Sequence, residues 1–238
     1  MDEVEWLSGH DPQAMLTHLE GKVSDRRLRL FACACARRFW PELGDRRARA
    51  AVEVGERYAD GLAGEHDLRT AREQAELAQQ DAPLFEAYAY AAALAATEEE
   101  ALEAARAVAR AARQQAGRDE AYAGVPGFDE RQTYTEGVAA ESRSQCDLMR
   151  TFFGNPFRPV RIDPSWLSWN DHAIPKMARV IYDNNQFEDL PYLADALMDA
   201  GCTDELLLRS CRTPGRSVGQ GGRYGRGFWA IDALLGLR

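Results

Sequence analysis

The chain has 238 residues, 45% of them hydrophobic, enough to bury a substantial core in one large domain or two small ones. Its formal charge of -9 leaves an acidic surface, which excludes the whole chain as a general nucleic-acid coat or a binder of anionic membranes. Of 29 basic residues only Lys22 and Lys176 are lysines, so nearly all positive charge is guanidinium, suited to forked pairing with carboxylate or phosphate.

Asp11 before Pro12 places a capping side chain ahead of a proline at the first helical position, predicting a short helix toward Glu20. Ser24 opens a stronger one, in which Leu28, Phe31, Ala32, Cys35 and Phe39 form an apolar stripe. Arg26, Arg27, Arg37 and Arg38 lie largely off that stripe, as expected for arginines that support ion pairs and solubility on an exposed face. Pro41 ends the helix. Asp45 caps a third, carrying Ala48, Val52, Gly55 and Tyr58, and Leu68 to Gln80 reads as a fourth.

From Asp81 to Gly117 the sequence is rich in alanine, which favours helix but buries little area per residue. Leu84, Phe85, Tyr88, Tyr90, Leu94 and Leu102 are therefore the expected anchors. Thr97-Glu-Glu-Glu reads as a cap followed by acids that complement a helix dipole, and so as a new helix start. The run from Ala87 to Ala96 is about half the length of a bilayer span, so no membrane-spanning helix is expected.

Residues 117–129, with Gly117, Gly124, Pro126 and Gly127, form the first clear break, placing a boundary between an alanine-rich helical unit, 1–118, and a compact one, 119–238, unless the two make one continuous domain. Helix resumes from about Glu130 to Phe153. In the next stretch Pro156, Pro159 and Pro164 exclude a continuous helix and predict an extended belt, with Phe157 and Trp166 buried between the two units. Ile174, Met177, Ala178, Ile181 and Tyr182 match one helical face, and Leu190, Leu193, Ala194, Leu197 and Met198 another. Thr203-Asp204 starts a helix running to Cys211, and Phe228 to Leu235 supplies the last. The fold class is all-α, a multi-helix bundle or irregular helical array with a proline-rich belt.

The five cysteines are odd in number and lack framework spacing, and no secretory pattern marks the acidic start. These features predict a reducing, cytoplasmic setting. Cys33 and Cys35 point to opposite sides of one helix, so they do not share a metal, and the four histidines have no ligand spacing with one another or with the cysteines. No metal or cofactor is expected. Asp171 and His172 are the candidate acid-base pair, although a helix cap at Asn170 or Asp171 accounts for the same residues. Trp166 and Trp169, three apart, form an aromatic wall that serves either a ligand or the core.

Between Cys211 and Asp232 arginines and glycines interrupt the helical pattern. Arg212, Arg216, Arg223 and Arg226 are the candidate binding residues there, beside glycines that permit close backbone approach. The spacing matches neither a phosphate-binding Walker loop nor a dinucleotide fingerprint. Asp232 falls on the apolar face of Phe228, Ile231 and Leu235, where a lone charge is costly, so it calls for an arginine partner. Arg212, closing the preceding helix, is the expected partner, with Arg226 as the other choice.

Several stretches together resemble a family of helical proteins, of no known activity, frequent in planctomycete-type bacteria. They are Leu28-Arg-Leu-Phe-Ala-Cys-Ala-Cys-Ala-Arg-Arg, Arg57-Tyr-Ala-Asp-Gly, Phe153-Gly-Asn-Pro-Phe-Arg-Pro-Val, Trp166-Leu-Ser-Trp-Asn-Asp and the ending from Cys211. The family-like ending carries a histidine where this chain has Ser217 and a cysteine where it has Phe228, and residues 219–225 look inserted. The leading functional expectation is a non-catalytic protein-interaction or regulatory module with a protein partner. The alternatives are an enzyme, hydrolytic in one version, using Asp171 and His172, or RNA binding through the arginine-glycine loop.

Overall fold

The computed structural model describes residues 1–123, 130–212 and 226–237. Among these residues every regular element is helical, as the 3.6-residue periodicity predicts. The first seven helices are α1 (Glu3–Ser8), α2 (Pro12–Leu19), α3 (Asp25–Arg37), α4 (Arg46–Ala59), α5 (Glu65–Gln80), α6 (Ala87–Ala95) and α7 (Ala101–Ala123). They are followed by α8 (Glu130–Phe153), α9 (Pro164–Asn184), α10 (Leu190–Asp199), α11 (Glu205–Arg212) and α12 (Trp229–Leu235). None of the described helices is long and apolar enough to cross a membrane.

Local chemistry accounts for most starts. Asp11 accepts from the Gln13 and Ala14 amides, Asp45 from Arg47 and Asp163 from Ser165, each carboxylate satisfying amides that the first turn leaves open. Thr97 does the opposite of what its acidic neighbours suggest. Its hydroxyl donates to the Leu94 carbonyl at 2.6 Å, closing α6, and α7 begins only at Ala101. A hydroxyl can serve either end of a helix, and here it adds to the backbone amides that already close α6 on the Leu94 carbonyl.

Helix α3 lies at the centre of the first core, packed against α4, α6, α7 and α8. Both Cys33 and Cys35 are consequently buried, because a helix with neighbours on several sides has no solvent face in its middle. All five cysteines are buried and unbridged. Leu84 and Phe85, expected as anchors, are largely exposed, Leu84 at 79%; alanines of α6 and α7 carry that interface through close approach.

The expected break at Gly117 is corrected. Helix α7 runs through Gly117 to Ala123, and the two longest helices, α7 and α8, form an antiparallel pair. Gly117 serves proximity rather than termination: a Cβ there would lie 2.8 Å from Tyr134 and Val138. Across the pair, a Cβ on Gly137 would lie 2.5 Å from the Ala116 carbonyl oxygen. Gly124, Pro126 and Gly127 lie outside the described residues. The apolar cores divide later than residue 118. One runs from Trp6 to Phe153, the other from Ile174 to Leu234, and the proline belt separates them in sequence.

The belt itself runs over the surface. Phe157 is 37% exposed and stacks on His18 at 4.9 Å, and Trp166 is only half-buried against the second core, so neither is the buried tie that was expected. Three successive prolines keep this stretch extended, and its carbonyls need partners at the edge: Trp6 donates its indole N–H to the Gly154 carbonyl at 3.0 Å.

Replacing Gly137 by alanine should overpack the α7–α8 contact and cost about 2 kcal/mol. Phe157→Ala, on the surface, should cost no more than about 1 kcal/mol. Urea unfolding compares them, and equal midpoints for the two variants would mean that the helix pair separates without penalty.

Candidate functional site

Asp232 is completely buried on α12, and its positive partners come from the other end of the chain. Arg26 donates from Nη1 to Asp232 Oδ2 at 2.9 Å, and Arg27 from Nε to the same oxygen at 3.3 Å. The expected pairing with Arg212 is therefore corrected. Arg212 is exposed, with its guanidinium against the Met198 sulfur. The reasoning that a buried acid needs a guanidinium holds; proximity in sequence did not identify which one.

Arg26 extends the network. Its Nε donates to Asp60 Oδ1 at 3.1 Å and its Nη2 to the Tyr182 hydroxyl at 2.6 Å, while that hydroxyl donates to Asp60 Oδ1, also at 2.6 Å. Arg226 closes the group by donating to Asp60 Oδ2 at 3.0 Å, with its guanidinium 5.6 Å from the centre of the Tyr182 ring. Asp60 follows the last residue of α4, Tyr182 sits on α9, and Arg26 on the first turn of α3. One cluster thus joins both cores and the residue where the arginine-glycine segment ends.

Burial works against the Arg26 charge, but Asp232, Tyr182 and Asp60 more than offset it and hold its pKa above the ordinary value. The Tyr182 hydroxyl is pushed well up by burial and by its bond to Asp60. Burial likewise raises the Asp232 carboxyl, against the pull of Arg26 and Arg27, and Asp232 Oδ1 has no partner among the described residues. Ionising this acid in the folded state is costly, so the two guanidiniums secure the charge without fully repaying its burial.

The other candidates do not converge on this cluster. Residues Asn170, Asp171 and His172 have φ of 45°, 54° and 58°, a left-handed turn that kinks α9. Asp171 is exposed and bonds Lys176 at 2.6 Å, which lowers its carboxyl pKa. His172 Nδ1 lies 2.9 Å from the Leu167 carbonyl, so the ring carries its proton there. Trp166 and Trp169 are half-buried against the second core, the packing alternative of the two. Arg216 and Arg223 lie outside the described residues. The buried cysteines have thiols raised by burial, Cys146 to about 11 and Cys211 to about 12, which makes them poor nucleophiles. No group of three or more potential metal ligands occurs among the described residues.

Arg26, Arg27, Asp60 and Tyr182 are the members that sequence reasoning did not select. The available signal was Asp232, an acid on an apolar face; nothing local indicated that its partner lay in α3. Comparison of the chain with protein-family models, with curated proteins and with solved structures finds no match.

Asp232→Ala should leave Arg26 and Arg27 short of a counter-charge and cost about 3 kcal/mol, roughly 10 °C in Tm for a chain of this length. Arg212→Ala should leave Tm unchanged, and equal losses in the two variants would refute the pairing. The raised Asp232 pKa also sets a pH dependence. Because the folded state holds that proton more tightly than the unfolded state, the wild type should lose stability relative to Asp232→Asn as pH rises from the ordinary aspartate range through the folded pKa. Melting curves of both proteins across mildly acidic pH measure the slope; a wild type that gains stability relative to Asp232→Asn as pH rises would contradict it.

Proposed function

We propose that the chain is a non-catalytic helical protein-interaction or regulatory module whose contact groups are Arg216 and Arg223. The observation that carries this reading is the fastening of Arg226 to Asp60, inside the cluster that also holds Asp232. Arg226 is thereby occupied in stability. Arg216 and Arg223 are the arginines of segment 213–225. Guanidinium forks suit carboxylates, so the partner is a protein surface bearing Asp or Glu side chains.

The enzymatic alternative draws less support. Asp171 is spent on Lys176 and His172 on a backbone carbonyl, both on an exposed kink, whereas Asp232 is fully buried and held by two arginines. General acid-base chemistry needs such groups within hydrogen-bond reach of one reacting atom.

The paired substitution Arg216→Ala with Arg223→Ala should abolish partner capture from a host lysate while leaving Tm unchanged. An undiminished set of captured proteins would remove the proposal. Capture that is sensitive to ribonuclease and falls steeply with added salt would move the reading to RNA.

A further inference from the structure

A cleft of about 550 Å³ opens where the end of α2, the start of α3, the proline belt and α12 meet. Its size is within the range of small-molecule sites. Its charge is unusual for this chain. Lys22, Arg27 and Arg158 line it, and no aspartate or glutamate does, on a protein whose net charge is -9.

Two of these cations are incompletely neutralised. Arg158 bridges Glu3 at 2.7 Å and is accounted for. Lys22, one of two lysines in the chain, has its ammonium 3.3 Å and 3.4 Å from the two ring nitrogens of His18, a neutral partner that supplies no counter-charge. Arg27 shares Asp232 Oδ2 with Arg26 and is the more distant donor, 3.3 Å against 2.9 Å. Among the described residues the cluster sets Arg26, Arg27 and Arg226 against Asp60 and Asp232, one guanidinium in excess. The surplus at Arg27 and the charge on Lys22 together approach the charge of a phosphate monoester at neutral pH, which is about -1.5 to -2.

Much of the rest of the lining is apolar, with Asn155 and His18 the polar members. Phe157 stacks on His18 with ring planes 17° apart, and Trp229 lies against Gly154, where a Cβ would come within 3.2 Å of the indole. The positive φ of 67° at Gly154 and this close approach require glycine there, and so keep the belt low over Trp229 and the cleft open beside it. A cation beside stacked aromatic rings, Lys22 on His18 and His18 on Phe157, supplies the two halves of a site for a charged group attached to a planar ring.

We propose that this cleft binds a phosphomonoester carried on a flat ring, the chemistry of a nucleoside monophosphate. The phosphate sits between Lys22 and Arg27, and the ring lies along Phe157. The site uses no residue of segment 213–225, so it stands or falls independently of the interaction proposed above.

Isothermal titration with AMP, CMP and phenyl phosphate tests it on the full chain, with adenosine and inorganic phosphate as the two halves. At least one phosphomonoester should bind, with inorganic phosphate competing and adenosine at least tenfold weaker. Lys22→Ala, an exposed position whose loss spares the fold, should weaken binding at least tenfold with Tm unchanged, and Phe157→Ala should weaken the ring-bearing ligands while leaving inorganic phosphate alone. No binding by any of the three at millimolar concentration would overturn the proposal. So would adenosine binding as tightly as AMP, or affinity unaltered in Lys22→Ala.

Discussion

The fold depends on Arg26 having to satisfy three groups from three distant stretches of chain. Asp60 closes α4, Tyr182 belongs to α9 and Asp232 to α12, and one guanidinium donates to all of them. The two apolar cores are each continuous within their own part of the sequence, and apolar contact is non-directional, so it would tolerate many relative placements of one core on the other. Charge-assisted bonds of defined length and direction tolerate few. Burial makes the cluster costly to assemble, as the raised Asp232 carboxyl indicates, and correspondingly costly to leave incomplete.

Helix α3 repeats this device around its circumference. Arg29 is buried and donates to the Ala96 and Glu99 carbonyls, which the connection between α6 and α7 leaves open. Arg37 grips Glu56 on α4, and Arg38 makes a forked pair with buried Glu141 on α8. Successive residues of a helix point about 100° apart, so arginines outside the apolar stripe are directed at different neighbours. Their long stems lie along apolar surface while their heads reach acids or carbonyls. A central helix carrying four such residues, with Arg38 at its C-cap, can be surrounded by partners without stranding a charge.

The kink in α9 has a different basis. Three consecutive L-residues in the left-handed region cost of the order of 1–2 kcal/mol each, which local bonds from Asp171 to Lys176 and from His172 to Leu167 partly offset. The turn starts a fresh helical segment, and Pro175 then falls in its first turn, where a missing amide costs nothing. It also separates the tryptophan-bearing turn from the longer segment that delivers Tyr182 to Arg26.

The helical class, the capped starts at Asp11 and Asp45 and the span of α8 were legible in the chain alone, because apolar period and capping chemistry act over a few residues. So was the need of Asp232 for a guanidinium, since burial of a charge on an apolar face is costly wherever its partner lies. Which guanidinium answers it was not legible: Arg26 and Arg27 lie more than 200 positions away, and only the tertiary fold, with α12 packed on α9, α11 and α8, brings them within bonding distance. Gly117 failed for a related reason. A glycine reads the same whether it breaks a helix or admits a neighbouring one, and only the presence of Tyr134 and Val138 across the α7–α8 contact distinguishes the two. Residue pattern specifies faces and ends; the long-range pairs that place one face on another exist only once the chain has closed on itself.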